Sequence, residues 1–474
     1  MSFRFVILWV VIYAFAWTVA TVNLDPAVPY DAVEALNWAQ NAEWGSPKNP
    51  WLVGLMMRPA LWLPPHIYWY ACHFFAIAVG MAGSWLLALR LSNSHSLAWF
   101  SLLTLNLSGV INFDIISYND NYLLVMLWPW MVLCYFQAIT RHVNWWLPFA
   151  LLAGLASMAK YSSLILIGFI FLSTLIVPAI RRCYRHPVWY LAIVLALMLI
   201  APNVVWLWQH NFAAFRWVGS QIHFEINSGV LTCVLSVFYP LLISGAILWF
   251  CGVRFHWPRS PEVRVLLGVY TIPLVLVSGW FLIFSSGRLT EWLQPFFILA
   301  PALMSACIRR PGMAIPRSGT TLLFSFALLV FVGYIGVMGA NVANAGKKMS
   351  GVIPFADKVN QLWTERYGKP LNYVGGGYLS EWLTFYVPSK PQIITRWHPE
   401  FRPNIYNSRL SESELQRAGA VLVGDLGVTC KDESFTTVHR DWPTLPIDGT
   451  TQILFQADPS GKQKVICIGF IRPG

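Results

Sequence analysis

Apolar stretches near 3–22, 67–89, 96–113, 121–140, 144–159, 161–179, 188–208, 229–252, 265–285, 292–308 and 320–340 recur along this 474-residue chain. Each is close to the roughly 20 residues that a helix needs to cross a bilayer. Lipid offers no partner for backbone N–H and C=O groups, so such segments must be helices. Eleven of them predict an α-helical polytopic membrane protein. The first lacks a small-residue cleavage site and reads as a retained span rather than a cleaved signal peptide. The fifth and sixth meet at Lys160 with almost no loop between them. Charged residues make up 11% of the chain, against about 25% in an ordinary soluble domain. The net charge of +11 does not point to nucleic acid, because its arginines cluster at the ends of apolar stretches.

Those arginines set a direction. With the N-terminus placed in the cytoplasm, twelve basic residues before position 341 fall on cytoplasmic ends. Five fall outside: Lys48, Arg58, Lys160, Arg216 and Arg288. Positive residues are held inside, and an odd number of spans then puts the C-terminal part outside. Of nine acidic residues in the same region, only Glu262 falls inside. Acids do little to fix topology, so their bias points to a site on the outer face.

The outer loop over residues 23–66 is too long and too rich in Trp and Pro for a passive turn. Asp31 to Glu43 is predicted to form a short helix after Pro29, and Trp51 to Trp62 an amphipathic one on the membrane surface. Asp31 and Glu34 are three residues apart and share a helical face; the alternative is a helix cap completed by Glu34. Beyond a Gly/Pro turn, Lys48 stands among aromatics, with Arg58 ten residues on. Contact with lipid headgroups by snorkelling is the alternative for both.

Other ionisable groups gather at the same depth, where they are costly. Asp114 and Asp120 bracket an outer turn that also reads as a plain polar loop. Lys160-Tyr161 lies between two spans. Arg288 and Glu291 occupy another outer turn, where the alternative is a plain pairing with each other. Together these residues form an inventory for handling a phosphate at headgroup level, with cations for the anion and carboxylates as base or metal ligands. No Walker-type glycine loop, zinc spacing or Gly-x-Ser-x-Gly elbow is present.

Asp31-x-x-Glu34 followed by Trp44-Gly45-x-x-Lys48-x-Pro50 resembles the polytopic glycosyltransferases of the GT-C fold. The nearest branch is the bacterial one, similar to lipid A aminoarabinose and galacturonic acid transferases and to protein O-mannosyltransferases. Tyr118-Asn119-Asp120-Asn121 with Leu127-Trp128-Pro129 adds to the likeness, as do Lys160-Tyr161 and Ala201-Pro202-Asn203 through His210-Asn211-Phe212. Leu371-Asn372-Tyr373-Val374 and Phe385-Tyr386 with Pro388 extend it into the tail. The resemblance implies transfer of a sugar from a polyprenyl-phosphate carrier to a glycolipid or other envelope glycan, on the periplasmic face of a bacterial inner membrane and with inversion. It implies Asp31, Glu34 and Asp120 as catalytic acids, and Lys48, Arg58, Lys160, Tyr161 and Arg288 at the donor phosphate. It also implies a divalent metal ion on Asp31 and Asp120. The chain departs from its relatives at Asn49-Pro50-Trp51, where they carry His or Lys and a second proline. A lipid-linked sugar transporter and a non-catalytic protein of the same fold are the rival readings.

From residue 345 the composition turns soluble, dividing the chain into a membrane part, 1–344, and a periplasmic part, 345–474. Val374, Ile393-Ile394, Val421 to Val423 and Val465-Ile466 are predicted strands, and Ser411 caps a predicted helix. This is a small α/β domain. If it sits in an oxidising compartment, its two cysteines, Cys430 and Cys467, either pair or stay free, and the sequence leaves both open.

Overall fold

The computed structural model describes residues 3–24, 27–41, 43–109, 111, 120–285, 288–309, 317–343, 350–394, 410–431, 435, 438–439, 442–457 and 461–474. Asp25, Asp114, Tyr118 and Asn119 lie outside the described residues. The helices run α1 (Phe3–Leu24), α2 (Tyr30–Asn41), α3 (Trp51–Met57), α4 (Pro65–Ser92), α5 (His95–Leu105), α6 (Tyr122–Thr140), α7 (Trp146–Ala159), α8 (Ser163–Ile176) and α9 (Pro187–Gln209). They continue with α10 (Ala213–Gln221), α11 (Val230–Phe250), α12 (Pro261–Ile283), α13 (Leu289–Phe297), α14 (Ala300–Ala306), α15 (Arg317–Ala343), α16 (Val352–Tyr367), α17 (Ser380–Tyr386) and α18 (Glu412–Ala418). A 3-10 turn, Arg58–Leu61, extends α3.

Seven helices of the described residues are long and apolar enough to cross a membrane: α1, α4, α6, α9, α11, α12 and α15. The other four stretches of the sequence reading take shorter forms. Among the described residues of 96–113 the helix is α5, capped at Asn106, whose Oδ1 accepts from Trp9 Nε1 at 3.1 Å. Lys160, in extended backbone, separates α7 from α8. The stretch 292–308 breaks into α13 and α14, with Pro301 in the first turn of α14, where a missing N–H costs nothing.

The chain forms two compact units. One comprises Met1–Ala20, Lys48–Leu52 and Tyr70–Gly336; the other comprises Thr21–Pro47, Val53–Trp69 and Val337–Gly474. These units cut across the sequence boundary at 344/345, because most of the outer loop packs with the tail.

In the first unit, Trp17 of α1 is fully buried, its ring 5.9 Å from Phe74 on α4 and 4.9 Å from Phe331 on α15. Away from such seams, Leu197, Met198, Leu242 and Leu329 remain exposed, a surface that suits hydrocarbon and not water. Small residues let helices approach: a Cβ on Gly80 of α4 would stand 2.1 Å from the carbonyl oxygen of Val125 on α6, the close backbone packing that membrane helices favour. Two short antiparallel pairs link loops, β1 (His223–Phe224) with β3 (Phe284–Ser285) and β2 (Arg254–Phe255) with β4 (Ile308–Arg309).

The tail holds β5 (Tyr373–Gly376), β6 (Gln392–Ile393), β7 (Ala420–Val423), β8 (Gly449–Phe455) and β9 (Lys464–Ile471) in the order β6-β5-β7-β9-β8. The first three strands are parallel and the last two antiparallel to their neighbours. The four residues of β7 are all buried, as befits a central strand. Gly376 (φ +106) is obligatory, since a Cβ there would meet Val423 O at 2.0 Å. All four predicted strand segments are present, and Ser411 caps α18 by accepting from Glu414 N at 3.2 Å. Cys430 and Cys467 form a disulfide.

Replacing Gly80 with Leu should destabilise the first unit by about 1–3 kcal/mol through overpacking, read as a lower melting temperature and folded yield in detergent. Gly168→Ala, on an open face with nothing within 4 Å, should change neither.

Candidate functional site

The first unit builds a polar cluster from four loops. Lys48 and Asn49 are adjacent and point two ways. The Lys48 ammonium lies 5.8 Å from the centroid of the Trp217 ring, within cation–π range. Asn49, 2% exposed, donates through Nδ2 to Oδ2 of Asp120, which is 1% exposed. Burying a carboxylate demands such a donor. The next residue, Asn121, donates to the Glu291 carbonyl at 2.6 Å and to Gln294 Oε1 at 3.0 Å. That fixes the start of α13, where Arg288 meets Glu291 at 3.4 Å with its own side chain 68% exposed. An ion pair with its guanidinium so open to solvent contributes at most about 1 kcal/mol.

Short helix α10 joins a second pair of groups to this cluster. Asn211 and Phe212 both have left-handed backbones (φ +52 and +54), which end α9 and let the chain turn into α10. Phe215 of α10 then lies 5.3 Å from the ring of Tyr161, whose hydroxyl donates to Asn203 Oδ1 at 3.0 Å. Trp217, on the same helix, is the ring that faces Lys48. His210 stacks on Trp206 at 4.2 Å and serves the end of α9.

Lys48, Asp120, Tyr161 and Arg288 therefore belong to one connected network, with half-buried Lys160 beside Tyr161. Asn49, Phe215, Trp217 and Gln294 complete it and were not singled out as site residues from sequence. Asn49 opens the stretch Asn49-Pro50-Trp51, and its side-chain amide is the donor to Asp120.

The second unit holds the other carboxylates. Glu34 is 2% exposed on α2, and Asp31 is half-buried in the first turn. The same unit sets Glu381 of α17, which the sequence reading missed, against other residues of α2. Tyr30 donates to Glu381 Oε1 at 2.7 Å, and Asn37 Nδ2 donates to Oε2 at 3.1 Å. Tyr378 stacks on Tyr30 at 4.8 Å. Burial, then the negative charges of Glu381, Glu34 and Asp31, push the Tyr378 hydroxyl up to about 12. Tyr30 is held well above the ordinary tyrosine range by burial first and then by Glu381 and Glu34. An acid set in the apolar run Leu379-Ser380-Glu381-Trp382-Leu383 was the available signal, since a carboxylate on a buried helix needs a partner.

Arg58 is exposed at the head of its 3-10 turn. The turn's far end is held by Lys390, which donates to the carbonyls of Ala60, Leu61 and Leu63 at 2.7, 2.8 and 3.0 Å. This is a cation on the open end of a helix, where carbonyls lack partners.

Asp31 and Asp120, the carboxylates named for a divalent ion, belong to different units. Among the described residues no group of three or more His, Cys, Asp or Glu side chains is placed to hold a metal.

Replacing Tyr30 with Phe should cost about 1–3 kcal/mol, because Glu381 Oε1 stays buried without its donor. The raised Tyr30 value contributes stability that is complete below the ordinary tyrosine range and lost above it. Thermal unfolding followed against pH should show that alkaline loss in the wild type and a smaller one in Tyr30→Phe.

Residues 47–206 match the family described as dolichyl-phosphate-mannose-protein mannosyltransferase. No curated protein matches the sequence. Among solved structures, ArnT from Cupriavidus metallidurans bound to undecaprenyl phosphate superposes with a TM-score of 0.66 at 14% identity, covering 99% of this chain and 98% of that one. The same protein in the apo state gives 0.63 at 16% identity, with 97% of each chain covered. This chain is thus a multi-span membrane protein with an ArnT-like GT-C fold along its length and the mannosyltransferase family's sequence pattern over residues 47–206.

Proposed function

We propose that this protein is an integral membrane glycosyltransferase. It takes a sugar from a polyprenyl-phosphate carrier and attaches it, with inversion, to a glycolipid or other envelope glycan on the periplasmic face of a bacterial inner membrane. The observation that carries this reading is the link from Lys48-Asn49 to Asp120, which joins a cation and a buried carboxylate from two outer loops. The match to a polyprenol-type mannosyltransferase family over that same stretch and the fold of ArnT support it. The disulfide supports the periplasmic side, because such bonds persist in oxidising compartments.

The chemistry follows from charge. An acceptor oxygen attacks the anomeric carbon, and the bond from that carbon to the phosphate oxygen breaks. The bonding electrons leave with a phosphate that is already anionic, so the departing group needs neutralisation more than a proton. Lys48, Lys160 and Arg288 supply it, with Tyr161 as a neutral donor, and positive groups fixed in place beforehand are worth most where water is excluded. Asp120 takes the acceptor proton. Asp31, Glu34 and Arg58 belong to the second unit and stay candidates named by the sequence alone. No step here passes through a metal ion.

Asp120→Asn keeps an oxygen that can accept from Asn49 and should fold normally. It should nonetheless lose about 10²–10⁴-fold in transfer, the usual share of a general base. Lys48→Met should lose about 10²–10³-fold in kcat. Both are checked with purified protein in proteoliposomes and a radiolabelled polyprenyl-phosphate sugar. Unchanged transfer in both variants overturns the site. Mass spectrometry of envelope glycolipids with and without the gene should show a mass difference of one sugar; identical spectra overturn the activity.

A further inference from the structure

The start of α16 and the β8–β9 hairpin of the tail enclose a groove of about 410 Å³ that the transfer chemistry does not use. Its apolar side is formed by Pro354, Ile453 and Leu454, its polar side by Lys358, Gln456 and Gln463. The two elements are pressed together. Gly351 N donates to Ala457 O at 2.9 Å, and a Cβ on Gly351 would lie 1.7 Å from Gln456 O. Strand register places Lys464 opposite Phe455, another lining residue, and Lys462 and Lys464 flank Gln463, both exposed. Three lysines thus line or border the groove, with Asp357 the exposed acid next to Lys358. Lys358 is also bonded to Gln361 Oε1 along its own helix, at 3.3 Å.

Two further facts say what such a groove meets. Leu454 is 64% exposed, although this part of the chain has the composition of a soluble domain. Ser350 follows Ala343, the last residue of the membrane-spanning α15, by only seven positions, which limits the separation to about 25 Å of extended chain. An apolar wall beside a basic rim, tethered that close to a bilayer, matches the chemistry of a phospholipid: phosphate for the lysines, glycerol and first methylenes for Leu454 and Ile453.

We propose that this groove seats the phosphodiester headgroup of an anionic phospholipid, so that the tail domain rests on the charged membrane surface. The proposal is independent of the transfer reading and survives its failure.

The test uses the full chain in nanodiscs of phosphatidylcholine alone or with phosphatidylglycerol added. Hydrogen exchange of residues 350–358 and 451–456 should slow only when the anionic lipid is present, and the protection should fade as salt rises. Each of Lys358→Glu, Lys462→Glu and Lys464→Glu should weaken the protection at least about fivefold. Formation of the Cys430–Cys467 disulfide in each variant checks folding, and the salt series on the wild type needs no variant. Equal exchange in the two lipid mixtures overturns the proposal. Equal protection by inorganic phosphate in detergent makes the groove a free-anion site, which also overturns it.

Discussion

A charge at the centre of a bilayer costs about 2.5–3.5 kcal/mol on insertion scales, and the ionisable groups of this chain are arranged around that cost. Two of the buried carboxylates are met by donors that carry no charge of their own. Asp120 receives the Asn49 amide, and Glu381 receives a phenol and an amide. A neutral donor satisfies a buried carboxylate oxygen without cancelling its charge.

The cations are treated differently. Lys48 faces the Trp217 ring, and Arg288, its own side chain exposed, meets Glu291 at 3.4 Å. A ring quadrupole or an open ion pair places a positive group at modest cost, and a phosphate can outcompete either. Local backbone geometry makes the arrangement possible. The left-handed pair Asn211-Phe212 turns the end of α9 into α10, and α10 carries both Phe215 and Trp217 to their contacts.

Much of this was legible in the sequence because hydrophobic length is a strong signal. The ends of α1, α4, α6, α9 and α11 were found within a few residues, and the tail's strands and the Ser411 cap were read from turn and capping residues. Length failed where other forces cut a helix short, as at Asn106, at Lys160 and at the break before Pro301. The carboxylates of the outer loop stood out because acids are scarce in such a chain. The groups that Asn37 and Lys48 meet did not. Glu381 lies 344 residues from Asn37, and no local periodicity reports a contact of that separation. Trp217 was one tryptophan among 25, and only the fold selects it.

The central claim is that Lys48, Lys160 and Arg288 form an anion site for a lipid-linked phosphate. Native mass spectrometry of the purified protein with undecaprenyl phosphate tests it without requiring the sugar or the acceptor. The account predicts a bound lipid that is retained with uncharged polyprenol present in excess, and that is lost when all three cations are replaced by Met. Undiminished binding by that triple variant, or equal binding of the uncharged alcohol, would contradict it.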